Sequence, residues 1–285
     1  MSISILTNLD SIRAQQDLSK HSAALSKTFE RLSSGLRIND ASDDAAGLVL
    51  AESLRADQRV ADAAVRNAND GISLLSIADG ALSEIGNLLT RMAELAEEAA
   101  NGIETATTRS SFQAEFEALG SEITRIARTT EFNDLALLSN STSVSFQVGL
   151  DSTSNSQISF SGVTATLEQL QLGNGNEVLT YSLNATTDAG GQAAAVTALA
   201  AVQSAIDLLS SERGTVGAIE SRLTYAVSNL EILRENLSQA ESSIRDADVA
   251  FEAAELVRLQ ILRDASAAVL AQANQQSEIA LSLLS

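Results

Sequence analysis

The stretch from Glu30 to Leu48, ERLSSGLRINDASDDAAGL, crowds Gly35, Arg37, Asn39, Asp40, Asp43 and Asp44 into a short length of chain. Such a set could hold a divalent ion or supply an acid–base pair. Adjacent residues on a helix point about 100° apart, however, so Asp43 and Asp44 would not face one site. Asn39 and Asp40 instead mark a turn, and Ser42 or Asp43 caps the helix that follows, with the carboxylates at its positive end. His21, the only histidine, lies on an apolar helical stripe three residues after Leu18, and nothing near it in sequence completes a triad. Gly71, Gly80 and Gly86 are too widely spaced for a phosphate loop, and HExxH is absent. Without cysteine there is no disulfide and no thiolate metal site. No catalytic, cofactor-binding or metal-binding residue is assigned, and an enzyme is not expected.

The elements around these residues are helical. From Val216 the apolar positions run Val216, Ile219, Leu223, Ala226, Leu230, Leu233, Leu237, Ala240 and Ile244, in alternating steps of three and four. That spacing is a coiled-coil seam spanning ~44 Å at 1.5 Å per residue. An upstream stripe can partner it: Ala61, Val65, Ala68, Ile72, Leu75, Ala78, Leu82, Ile85, Leu89, Met92, Ala96 and Ala99. Phe112, Phe116, Leu119, Ile123 and Ile126 form a shorter third seam after a turn at Asn101-Gly102. Between about 139 and 191 the texture changes to Ser, Thr, Asn and Gly with period-two alternation in VSFQVGL and LTYSL, which predicts short hairpins at the tip of a helical hairpin.

The two ends behave alike. Leu18, Leu25 and Leu32, with Phe29 between them, stripe the first helix, and Leu262, Ala265, Val269, Ala273, Ala280 and Leu284 stripe the last. Each has only the other as a partner within the chain, and one helix pair buries too little surface to offset its ordering entropy. More helices from other copies are required.

The whole chain has no Trp and no Pro, only nine aromatics among 285 residues, and a net charge of −19. Small apolar side chains favour long, thin helix packing over a thick core. The charge argues against nucleic acid and anionic membrane surfaces as partners. It is also uneven: residues 67–210 carry four Lys/Arg against seventeen Asp/Glu, while 1–66 carry eight against nine and 211–285 six against eleven. A strongly acidic middle reads as a solvated face, and near-balanced ends can pack against copies of themselves. AAAVTALAAV at 193–202 is too short and Ala-rich to span a bilayer, and no apolar run of about 18 residues is evident. The opening MSISILTNLDS has neither a basic n-region nor an apolar run of signal length, which predicts export without a cleaved signal peptide.

Two blocks carry a resemblance. LSKTFERLSSGLRINDASDDAAGLVLAESLRA resembles the N-terminal region of bacterial flagellins, and SNLEILRENLSQAESSIRDADVAFEAAELVRLQILRDASAAVLAQANQQSEIALSLLS their C-terminal region. The chain departs from the family pattern at Ser243, where an Arg is usual, at Ser266 for a Gly, and at Ser277 for a Pro. It also lacks the large variable outer domains of long flagellins.

The resemblance implies a mainly α fold, a long antiparallel coiled-coil-like bundle with a small β-hairpin tip. Residues 1–43 and 245–285 would pair in a filament core, joined by the spoke SSGLRINDASDDAAG to a helical rod over 44–244. The implied function is a structural subunit of the extracellular flagellar filament used for swimming, with Leu18, Leu25, Phe29, Leu32, Leu262, Val269 and Leu284 in the polymerisation core. Partners would be other copies, an export chaperone on the C-terminal segment, and cap and hook-associated proteins. A vertebrate innate-immune receptor would read Arg91, Leu95 and Glu115, of which Arg91 and Leu95 fall off the seam line. A hook-filament junction protein is the alternative, but such proteins resemble SSGKRV…DDP at the spoke rather than SSGLRI…DDAAG.

Overall fold

The computed structural model describes residues 7–141 and 143–282, with side chains as far as residue 275. Leu284 and the side chain of Ala280 lie outside the described residues. The chain is mainly α: α1 (Leu9–Ser34), α2 (Ala45–Ala100), α3 (Ala106–Thr129), α4 (Asp188–Arg245) and α5 (Val249–Ser282). Between α3 and α4 lie β1 (Glu131–Phe132), β2 (Leu135–Ala136), β3 (Val144–Gln147) and β4 (Gln157–Phe160). Two compact units result: residues 1–58 with 235–285, and residues 59–234. Their boundaries fall within α2 and α4.

Local chemistry sets the helix ends. The Asn8 side chain accepts from Ser11 N at 3.1 Å to cap α1, which stops at Gly35, where φ is 72°. Asp44, rather than Ser42 or Asp43, caps α2: its Oδ1 accepts from Ala46 N at 3.1 Å and Gly47 N at 2.9 Å. Asp248 caps α5 in the same way through Ala250 N and Phe251 N. At the end of α2 the buried Arg109 side chain donates from Nε to Ala99 O at 2.8 Å and from Nη2 to Asn101 O at 3.0 Å, satisfying carbonyls that a helix end leaves open.

In the unit formed by 59–234, α2, α3 and α4 share one hydrophobic core. The upstream stripe is buried at Ala61, Ala68, Leu75, Ala78, Leu82, Ile85, Leu89, Met92, Ala96 and Ala99, and faces Val216, Ile219, Leu223 and Leu230 of α4. Two ion pairs mark the antiparallel register: Arg213–Asp79 at 2.8 Å and Arg234–Asp62 at 3.0 Å, the α2 partner falling as the α4 number rises. α3 adds Phe116, Ile123 and Ala127. An 18-residue window in each of α2 and α4 reaches a mean hydropathy of 1.2 and 1.5, long and apolar enough by length and composition alone to cross a membrane. No such run was evident in the sequence, because Gln, Ser, Thr and Gly interrupt these windows. In α4 that region buries one stripe only, Ala195, Ala198, Val202, Ala205 and Leu209.

The segment 139–191 differs from the expected tip. β3 pairs antiparallel with β4, matching Phe146 to Ile158, as the VSFQVGL alternation suggests. LTYSL makes no strand; its one bridge is Leu179 to Gly173. An unexpected hairpin joins β1 to β2 through Asn133 and Asp134, both at positive φ (50° and 62°), the two-residue geometry whose twist matches the strands. Nor is the segment a cap on the helices. Phe146, Phe160, Val163, Leu167, Leu172 and Leu183 belong to the core, and a methyl added at Gly71 in mid-α2 would lie 3.0 Å from the Phe146 ring. With few large residues on the helices, the loop supplies the bulk that fills their groove.

Candidate assembly surface

α1 and α5 pack against each other in the unit that holds both termini. Along α1, Ala14 and Thr28 are buried and Leu18, His21, Leu25 and Leu32 half-buried, so the seven-residue leucine spacing marks the seam. α5 answers with Glu252, Leu256, Leu259, Leu262, Ser266, Leu270 and Ala273. Polar residues fix the register: Arg31 Nη1 donates to Glu252 Oε1 at 3.3 Å, Asn8 Nδ2 to Ala273 O at 2.9 Å, and Ser11 Oγ to Asn274 Oδ1 at 2.7 Å.

The pair covers one side of each helix and leaves the others bare. Phe29 is 63% exposed and Val269 58%, so these two residues stand outside the seam that Leu18, Leu25, Leu32 and Leu262 occupy. Val257 and Ile261 are also exposed, and with Ala250, Ala254, Ala265 and Ala268 they draw a second apolar stripe at helical spacing on α5. Leu9, Ile12 and Phe251 extend the bare apolar surface.

The spoke stretch is a hydrogen-bonded elbow within the same unit. Arg37 N donates to Arg245 O at 2.6 Å and its Nη2 to Ile244 O at 2.6 Å, while Ala247 N returns a bond to Gly35 O at 2.9 Å. Arg245 Nη1 then donates to Glu52 Oε1 at 2.8 Å. Asp43 is nearly buried, paired with Lys27, and its Oδ2 accepts from Asn39 N at 3.2 Å. The Lys27 hydrogen bond holds the Asp43 carboxyl below its usual pKa, with the Asn39 and Asp40 N–H groups helping against a desolvation effect that raises it. Asp43 and Asp44 therefore have separate tasks, one tying the loop and one capping α2.

In the other unit, Arg91 lies on the exposed side of α2 and bridges two carboxylates, Nε to Glu115 Oε1 at 2.9 Å and Nη1 to Glu94 Oε2 at 3.0 Å. These bonds, that to Glu115 foremost, push the guanidinium pKa up. The structure thus brings Arg91 and Glu115 together. It does not leave Leu95 free: this side chain is fully buried in the core. The single seam line placed it outside, but α2 packs against both α4 and α3, and its buried face is wider than one stripe.

Paired terminal helices with bare apolar faces define a self-assembling structural chain, one that completes its core with copies of itself. The N-terminal helical region model of bacterial flagellin matches residues 5–143, and the C-terminal helical region model residues 199–284. The chain is similar to a flagellin of Halalkalibacterium halodurans, at 39% identity covering 97% of this chain and 98% of that one, and to a flagellin of Bacillus subtilis, at 37% with the same coverage. A solved chain described as a flagellar hook-associated protein from Vibrio parahaemolyticus aligns at TM-score 0.58 and 15% identity, over 72% of this chain and 100% of that one, a likeness of fold alone. The chain belongs to the bacterial flagellin family and is a structural subunit of the extracellular flagellar filament that drives swimming.

Proposed function

We propose that polymerisation is driven by the α1–α5 unit, whose bare faces are covered in the filament by α1 and α5 of neighbouring copies. The observation that carries this reading is the exposure of Phe29, Phe251, Val257, Ile261 and Val269 on the outer sides of a helix pair. Leu18, Leu25, Leu32 and Leu262 act in the seam, and Phe29 and Val269 between copies. Burying an exposed Val, Ile or Phe yields about 1.5–3 kcal/mol, and a contact repeated head to tail without closing builds a helix of subunits. Removing residues 1–30 or 256–285 is expected to leave a helical monomer that seeded assembly cannot extend. Filaments of normal length from either truncation, seen by negative-stain microscopy, would overturn the reading.

The same bare α5 stripe supports an export chaperone on the C-terminal segment, since an apolar helix face needs cover before assembly. Cap and hook-associated proteins then meet the two ends of the polymer. A vertebrate innate-immune receptor reads the exposed Arg91–Glu115 pair, with Leu95 supporting it from beneath.

A further inference from the structure

The sequence holds two Asn-Gly pairs, Asn101-Gly102 and Asn174-Gly175, and the fold surrounds them differently. Asn-Gly is the dipeptide in which a backbone nitrogen most easily attacks the preceding side-chain amide, because glycine has no Cβ to obstruct the approach. Asn174, Gly175 and Asn176 are all exposed, in the turn between Leu172 and Val178. The turn is closed by paired backbone bonds, Asn174 N to Val178 O at 3.0 Å and Glu177 N to Asn174 O at 2.7 Å.

Three groups converge there. Asn174 Oδ1 accepts from two backbone N–H groups, Asn176 N at 3.1 Å and Val178 N at 3.3 Å. Two donors on an amide oxygen draw electrons from its carbon and stabilise negative charge on that oxygen once the carbon is attacked, as an oxyanion hole does. The Glu168 carboxylate lies on the side of Gly175 where a side chain would stand: a methyl placed there would be 3.7 Å from Oε1 and 3.9 Å from Oε2. Among the described residues the Gly175 N–H has no partner within the chain, so its proton is available to a base. At the other pair, Asn101 Oδ1 accepts from Ile103 N alone, at 3.3 Å, and the nearest side chain to Gly102 is the amide of Gln192.

We infer that Asn174-Gly175 is a self-catalysed deamidation site, with Glu168 as general base and the Asn176 and Val178 N–H groups as oxyanion donors. Gly175 N attacks Asn174 Cγ and forms the N–Cγ bond, and its proton passes through one water to Glu168. The Cγ–Nδ2 bond then breaks, the leaving nitrogen takes that proton, and ammonia departs from a five-membered succinimide. Water opens the ring at either carbonyl, giving aspartate or isoaspartate. The balance is asparagine plus water to acid plus ammonia, with no oxidant or further co-reactant. The product places a new negative charge on the exposed turn beside Glu168 and Glu177, and in the isoaspartate form an extra methylene in the backbone. A filament subunit is made once and stays outside the cell, so such a slow reaction marks its age.

Asn101 is the internal control, because the dipeptide is the same and only the surroundings differ. The full chain is incubated folded, and in parallel in urea, in mildly alkaline buffer, and both sites are followed by peptide mass spectrometry. In the folded chain Asn174 is expected to convert about tenfold faster than Asn101, a modest share of what a positioned base and oxyanion donors supply elsewhere. In urea the two rates converge. Glu168→Gln, an exposed change, slows Asn174 several-fold and leaves Asn101 unaltered. Equal rates in the folded chain, a faster Asn174 in urea than in the fold, or no effect of Glu168→Gln would each overturn the assignment.

Discussion

Asp43 carries the clearest charge effect at the scale of single residues. Its carboxylate is nearly buried between Lys27 and the backbone of the elbow, and its pKa lies below the ordinary value. A carboxyl whose pKa is lowered on folding binds protons more readily in the unfolded chain, so it contributes stability above the ordinary carboxylate pKa near about 3.9. That contribution is lost as pH falls through the lowered folded value. Asp43→Asn is therefore expected to lower the melting temperature at neutral pH, with the gap to the parent chain closing below about pH 4. A gap that stays constant through the acid range would mean that the residue acts by packing alone. Arg109 shows a second way to use a buried charge. It was not singled out from the sequence because a lone Arg in the first turn of a helix looks solvated, whereas its chain folds back onto the open carbonyls of α2.

Helix seams decide stability at the scale of elements. Leu230 is 5% exposed in the α4 seam, while Leu233 beside it is only half-buried. Leu230→Ala is expected to cost about 2–5 kcal/mol through lost burial and a residual cavity. Leu233→Ala should cost less, and Ser152→Ala in the exposed DSTSNSQ turn stays within about 0.5 kcal/mol. Urea melts that give all three the same midpoint would refute the seam. The β3–β4 hairpin belongs to this scale too, since Phe146 fits against Gly71 and Leu223 and any side chain at Gly71 would have to displace that ring or the leucine.

The whole molecule is acidic, with most of its net charge of −19 in residues 67–210, and among the described residues exposed large apolar side chains are denser along the terminal helices than elsewhere. That division suits a fibre with a dry interior and a hydrated exterior that repels other fibres. It also bears on immune recognition. Arg91 is already held by Glu94 and Glu115, so a receptor that reads it must displace two charge-assisted bonds. If such a receptor reads this face, detectable but reduced signalling is expected from the monomer and little from intact filaments. Arg91→Ala should lower the monomer's signal in a receptor-dependent reporter assay; equal signalling by both chains would remove Arg91 from the site.

The sequence by itself determined which residues face inward along each helix, since a step of three and four is a local property of the chain. All nine seam positions from Val216 to Ile244 are buried or half-buried, and the termini pair as their stripes require. The two terminal blocks were enough to indicate the family. What only the tertiary structure decided is how many neighbours each helix has. One stripe specifies one partner, but α2 meets α3 as well as α4, which buries Leu95 and brings Glu115 to Arg91. The loop between β2 and α4 fills a groove that exists only once those helices are together, so its scattered leucines carry no periodic signal. The α5 stripe read from Leu262 to Ala273 likewise divided, Ala273 into the seam and Val269 to the outside, because which side of an amphipathic helix is covered depends on residues hundreds of positions away.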